Sequence, residues 1–208
     1  AVGIDTSMTS IAITAMGYDS ILGKFTKVTW GDKRWTTEQD DYLQRLADAA
    51  NTHNLVLDLL RELWVVDPAD VYIAQEEPVP LGMIRRADSG WVKQQCEVSG
   101  AVLGSLYRYG FKNIWQINNS QWKKTLRDEG VTIRKMPEGK WDVKDWAIGA
   151  YGLPDLPDLV SGKNGGKIPR PETGFGAKAK AVLPNDIYDA AAVVSYMPDN
   201  GQSVILSP

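Results

Sequence analysis

Five carboxylates stand out by the company they keep. Asp5 interrupts an apolar run, "VGIDTSMTSIAITAM" at residues 2–16. Glu76 and Glu77 close another, in "VYIAQEEP", and Asp186 and Asp189 open "NDIYDAAAVVSYM". Aspartate is depleted in strands, and an ionised carboxylate is costly to bury without compensation. Carboxylates brought together repel one another, and their pKa values rise unless a cation is present. Hard divalent cations compensate them, and Mg²⁺ takes oxygen ligands while keeping several waters. Two such ions about 3.5–4 Å apart activate a water and stabilise a leaving oxygen in phosphodiester cleavage. Metal-assisted phosphodiester hydrolysis is therefore the chemistry these residues could do together. Singly, each has a plainer reading. Asp5 could cap a hairpin, Glu76-Glu77 could end a solvated strand, and Asp186 with Asp189 could cap a helix whose dipole favours acid there.

The elements that must position these residues are legible in the pattern. Residues 2–8 and 11–16 read as paired strands, with a third at 25–30. A long helix is expected at 40–64, from the stripe Leu46, Ala50, His53, Leu57, Leu60 and Trp64 at helical spacing. Residues 71–76 read as a buried strand, 91–109 as a helix rich in small residues, and 112–117 as another strand. Asn118-Asn119-Ser120 offers an N-cap for a helix at 120–127, and a further helix is expected near 141–150. Residues 152–184 are rich in glycine and proline with little periodicity, so they read as a long loop. The last helix, 186–197, carries the apolar stripe Ala190, Val193, Val194 and Met197, and 204–206 is a short final strand. This order predicts an α/β fold: a mixed five-stranded sheet, three antiparallel strands then parallel ones, with helices on both faces.

Bulk properties set the bounds. The 208 residues fit one domain, and a hydrophobic fraction of 43% supplies a core. The single cysteine, Cys96, allows no internal disulfide, which suits a reducing compartment such as the cytoplasm. No apolar run reaches membrane-spanning length, so no membrane partner is expected. The net charge of −3 is unevenly placed. Residues 123–180 hold 12 Lys and Arg against 8 Asp and Glu, while the remainder is acidic. Within 161–180, Lys163, Lys167, Arg170, Lys178 and Lys180 face only Glu172. Such a segment is either a solvated loop or a phosphate contact.

On "GIDTSMTSIAI", "YIAQEEP", "SQWKKTL" and "DIYDAAAVV", the chain resembles the RuvC family of Holliday-junction resolvases, within the ribonuclease H-like superfamily. The resemblance covers most of the chain in order and is weak in identity. It implies a single nuclease domain over 1–208, with a basic insertion at about 152–184. It also implies a metal-dependent endonuclease that cuts four-way or other branched DNA, two Mg²⁺ per active site (Mn²⁺ substituting), and a homodimer. The family's acidic set maps onto Asp5, Glu76, Asp186 and Asp189, with Glu77 as an alternative to Glu76, and its lysine segment points to Lys123 near the scissile phosphate. The long stretch 128–184 looks more like phage-encoded relatives, which would act in a host cytoplasm. "EEPVPLGMIRR" departs from the family's usual loop, so the resemblance does not carry a junction sequence preference.

The remaining candidates are DNA contacts. Arg85 and Arg86 follow the glutamates, Lys124 follows Lys123, and the five basic residues of 161–180 complete the set. Trp141 and Trp146 lie beside Lys140 and Lys144, where they could stack on bases; the other tryptophans are expected in the core. His53 sits on a helical stripe and reads as packing. No Cys/His spacing for zinc and no GxxxxGK[ST] phosphate loop occurs. Two other functions share features of this pattern. One is an ATP-handling protein of the actin/sugar-kinase type, whose first hairpin also carries an Asp. The other is a catalytically inactive branched-DNA-binding protein.

Overall fold

The computed structural model describes residues 1–7, 10–19, 21–22, 24–35, 42–65, 67–78, 89–128, 130–131, 134–135, 141–157, 159–161, 167–169, 186–199 and 202–205. Arg85, Arg86, Lys163, Arg170, Lys178 and Lys180 lie outside them, as does the side chain of Lys167. In chain order the elements are β1 (Val2–Thr6), β2 (Ser10–Asp19), β3 (Lys24–Arg34), α1 (Tyr42–Ala50), α2 (Thr52–Glu62), β4 (Tyr72–Glu76), α3 (Ser89–Arg108), β5 (Asn113–Ile117) and α4 (Asn119–Asp128). There follow β6 (Arg134–Lys135), β7 (Trp141–Asp142), α5 (Lys144–Tyr151), β8 (Leu159–Ser161), β9 (Lys167–Pro169), α6 (Asp186–Ser195), β10 (Tyr196–Asp199) and β11 (Gln202–Ile205).

Five strands form one mixed sheet in the order β3-β2-β1-β4-β5. β1 is antiparallel to β2 and parallel to β4, and β5 is parallel to β4. The alternation along each strand sends two sets of apolar side chains to opposite faces. Val2, Ile4, Ile11, Ile13, Ala15 and Ile73 join one core cluster with residues of α1, α2 and α3. Ala12, Met16 and Ala74 join the other, with α4, α5 and α6. This is the expected α/β architecture with helices on both faces.

The glycine of "GID" is required by packing. A Cβ at Gly3 would lie 1.9 Å from the Ala190 carbonyl oxygen of α6. The alanine run of α6 and the bare backbone at Gly3 therefore let this helix sit directly on β1. Thr14 Oγ1 of β2 donates to the Ile187 carbonyl at 2.8 Å and fastens the start of the helix. Every residue from Ile187 to Ser195 except Asp189 is buried. The helix is thus buried all round rather than on the single stripe expected from its sequence.

Three expectations about elements are corrected. The long helix at 40–64 is two helices, broken at Asn51 (φ −109°, ψ 9°). The buried side of the pair runs through Arg45, Ala49, Thr52, His53, Val56, Leu59 and Leu60, so the expected stripe is partly displaced. Trp64 lies beyond the helix, 87% exposed, at φ 62°. There the Trp64 and Val65 N–H groups close onto the Arg61 and Leu60 carbonyls, a left-handed helix end usually built with glycine. The region 152–184 is also not wholly irregular, because β8 and β9 pair as a small antiparallel hairpin. Finally, the last helix stops at Ser195, and Met197 belongs to β10, which pairs with β11.

Candidate active site

β1 and β4 run side by side in the same direction, with Gly3 opposite Ala74 and Ile4 opposite Gln75. Asp5 and Glu76 come one step further along the two strands. Strand alternation puts Asp5 on the face of Gly3 and Glu76 on the face of Ala74. Both are on the side covered by α6. The first turn of that helix delivers Asp186 to the same end, where the Ser10 hydroxyl of β2 donates to Asp186 Oδ2. The Asp186 charge acts on Glu76. Asp189 lies one helical position before Ala190, the residue packed on Gly3, and is half-buried. Four acidic residues from three distant segments thus belong to the carboxyl ends of β1 and β4 and to the helix laid over them.

Lys123, on α4, carries a positive charge that acts on Glu76. Its ammonium also lies 4.7 Å from the Trp122 ring centre. Burial pushes the Glu76 carboxyl above its ordinary pKa, and the Asp186 charge pushes the same way. The Asn119 amide, the Lys123 ammonium and the Trp122 indole oppose that rise. Asn119 donates to Glu76 Oε1; the buried Trp122 indole N–H is near the carboxyl but outside hydrogen-bond geometry. Lys124, the next residue, is exposed.

The adjacent glutamates are held differently. Glu77 has left the strand; its N–H donates to the Ile117 carbonyl at 2.8 Å, and its Oε2 accepts from Asn118 Nδ2 at 2.9 Å. Glu76 accepts from Asn119 and lies beside Lys123 and Asp186. Asn118 belongs to the expected capping stretch and immediately precedes α4. Its Oδ1 accepts from the Ser120 N–H at 2.9 Å, and its own N–H donates to Gln121 Oε1 at 3.1 Å. On the opposite face of the sheet, buried Gln75 donates to Thr6 Oγ1 at 3.2 Å and to Ser99 Oγ at 2.8 Å. These bonds link the carboxyl ends of β1 and β4 to α3.

Ser7, Ser10 and Asn119 carry much of this geometry and were not visible as site residues in the sequence. In the sequence, Ser10 is only a polar residue alternating with Ala12 and Thr14 on one strand face, and Asn119 only part of a capping stretch. Of the aromatic candidates, Trp146 is half-buried and packs edge-on to Tyr151 at 5.4 Å against the core; the Trp141 side chain is outside the described set. His53 is buried, stacked on Tyr109 at 3.4 Å and bonded to Ser105, which matches the packing role expected. Trp122 and Trp35 are core residues, whereas Trp115 and Trp64 are exposed.

The donors described at this end suit a hard cation: they are carboxylates with a hydroxyl and an amide in support. Among the described residues, however, no group of three or more His, Cys, Asp or Glu side chains already stands in metal-holding geometry. Among the same residues, no helix is long and apolar enough to cross a membrane.

No family model and no curated protein matches this sequence. Among solved structures, the fold is similar to that of Thermus thermophilus RuvC in complex with Holliday junction substrate. The TM-score is 0.51 at 15% identity, over 92% of this chain and 87% of that one. A second Thermus thermophilus RuvC structure gives a TM-score of 0.48 at 17% identity, covering 92% and 89%. The five-stranded sheet with its covering helices is thus the ribonuclease H-like fold that RuvC has.

Proposed function

We propose that this protein is a metal-dependent, structure-selective endonuclease that resolves Holliday junctions or other branched DNA by paired phosphodiester cleavage. The observation that carries this reading is that Asp5, Glu76 and Asp186 belong to the same end of one sheet face, in a fold similar to that of a junction-bound resolvase. Asp5, Glu76, Asp186 and Asp189 would hold two Mg²⁺ ions, or Mn²⁺ in their place. When bound, such ions supply an activated water and charge stabilisation for the leaving oxygen. Glu77, tied to Asn118, is the lesser candidate ligand. Lys123 offsets negative charge beside Glu76 and is suited to meet the scissile phosphate. Arg85, Arg86, Lys124 and the basic residues of 161–180 would hold the DNA backbone. Paired nicking calls for two copies. The outer side of α3 suits a second copy, since Cβ atoms added at Gly100 and Gly104 would meet nothing within 4 Å.

The test is a cleavage panel with a four-way junction, a Y-fork, a flap and linear duplex, in Mg²⁺ and in EDTA. Paired nicks in the branched substrates, dependent on Mg²⁺, are expected. Asp5→Asn should lower the rate by about 100-fold or more, a typical cost of losing one preorganised charge-stabilising group. Junction binding should survive, because phosphate contacts supply most of the affinity. Binding without cleavage by the wild type would mark an inactive branched-DNA binder. ATP turnover without nicking would favour an ATP-handling protein of the actin/sugar-kinase type. Near-normal cleavage by Asp5→Asn would remove the acidic centre from the mechanism.

A further inference from the structure

Two of the carboxylates at the acidic end are gripped by neutral donors from outside the acidic set. Ser10, only 2% exposed, donates to Asp186 Oδ2. Ser10 is itself fixed across the β1–β2 turn: its hydroxyl lies 2.9 Å from Ser7 Oγ, its N–H donates to Ser7 Oγ at 3.1 Å, and the Ser7 N–H donates to the Ser10 carbonyl at 2.9 Å. On the other side, Asn119 donates to Glu76 Oε1. Its backbone is held in place through Asn118, which is bonded at once to Glu77, Ser120 and Gln121.

A neutral donor orients a carboxylate without cancelling its charge, whereas a lysine or arginine in the same place would compete with a cation. Residues that hydrogen-bond to metal ligands fix their orientation, and losing one commonly weakens metal affinity 10–100-fold. We propose that Ser10 and Asn119 are positioning residues of the acidic centre, each holding one carboxylate, Asp186 or Glu76, in the orientation that receives a hard divalent cation. This rests on the metal-dependent reading above. It also gives separate jobs to two neighbouring pairs. Asn119 serves the centre through Glu76, while Asn118 and Glu77 fasten α4 to the end of β4.

The test is Mn²⁺ binding to the full chain without DNA, followed by electron paramagnetic resonance, alongside thermal melting in EDTA. Wild type should bind Mn²⁺, and Asp186→Asn should not. Ser10→Ala and Asn119→Ala should each weaken binding about 10–100-fold, with melting in EDTA close to wild type. Ser10→Thr keeps the hydroxyl and should restore affinity. If Ser10→Ala does not fold, Asn119→Ala, at a half-buried position of the first turn of α4, carries the test. Wild-type affinity in both alanine variants would overturn the positioning role and leave the metal centre standing. A Ser10→Thr protein that melts normally but binds no better than Ser10→Ala would overturn the role given to Ser10. Absence of Mn²⁺ binding by the wild type would remove the metal reading itself, and this proposal with it.

Discussion

Among single residues, Glu76 and His53 show how burial sets the protonation state that a site can use. Glu76 is pushed toward its neutral form by burial and by Asp186, and the neighbouring donors and Lys123 resist that push. Such a carboxylate gains from a cation more than a solvated one does, because less water has to be displaced. His53 illustrates the opposite sign. Burial, aided by the Arg108 charge, lowers its pKa below the ordinary 6.5, against a bond to the Ala50 backbone that raises it. The groups around it are the stacked Tyr109 ring and the Ser105 hydroxyl. The folded state therefore holds a neutral imidazole, while the unfolded chain protonates near pH 6.5. Protons bind the unfolded state preferentially below that pH. The stability that His53 contributes is full above about 6.5 and is lost as pH falls toward the lower folded value. Urea unfolding at pH 7.5 and 5.5 should show a larger loss for wild type than for His53→Gln. Equal losses would mean that His53 is not held neutral by the fold.

At the scale of elements, α6 decides whether there is a site at all. It lies on β1 because Gly3 has no side chain, and its first turn carries Asp186. Gly3→Ala would drive a methyl into the Ala190 carbonyl, which is backbone and cannot rotate away. Overpacking of this kind costs about 1–3 kcal/mol, and occasionally more. Relief would come from a shift of α6 away from β1, which also moves Asp186 and Asp189 relative to Asp5. Chemical denaturation of Gly3→Ala should show that loss of stability. Nicking should fall by more than the folded fraction accounts for. A variant with wild-type stability would show that the helix is not seated so closely. The break between α1 and α2 at Asn51 belongs to this scale too. Arg45 and His53 are buried on either side of it, and both helices are tied to α3, where Tyr42 donates to Glu97 and His53 bonds to Ser105.

For the whole molecule, charge is the feature that organises contact with a polyanion. A chain of net −3 with an acidic centre repels DNA unless positive charge is placed locally. Residues 161–180 hold five basic residues against one acid and lead into α6. Each phosphate neutralised on duplex arms contributes about 0.9 to the slope of log affinity against log salt. Replacing Lys163, Lys167, Arg170, Lys178 and Lys180 by alanine should flatten the slope for a four-way junction by roughly two to four units. Binding across a salt series measures it, and identical slopes for wild type and variant would mean that this segment is only solvated.

The order of strands and helices, and hence the mixed sheet, was legible in the sequence because alternation and helical spacing are local signals that tertiary packing reinforces. The acidic candidates were legible for a related reason: Asp5 interrupts an apolar run, Glu76 closes one and Asp186 opens one, and a charge in such a place needs an explanation. The sequence could not separate Glu76 from Glu77, since both end the same strand; the difference lies in the partners brought by α4, Asn119 for one and Asn118 for the other. Nor did it mark Ser10, because a serine on a strand is common and its partner is 176 residues away. The break at Asn51 was hidden as well, since helical spacing continues across it and the interruption shows only in the backbone angles there and in the displaced buried side. Sequence determined which residues are out of place in a core. The tertiary structure decided which of them meet, because the register of β1 on β4 and the seating of α6 on Gly3 depend on contacts between segments far apart in the chain.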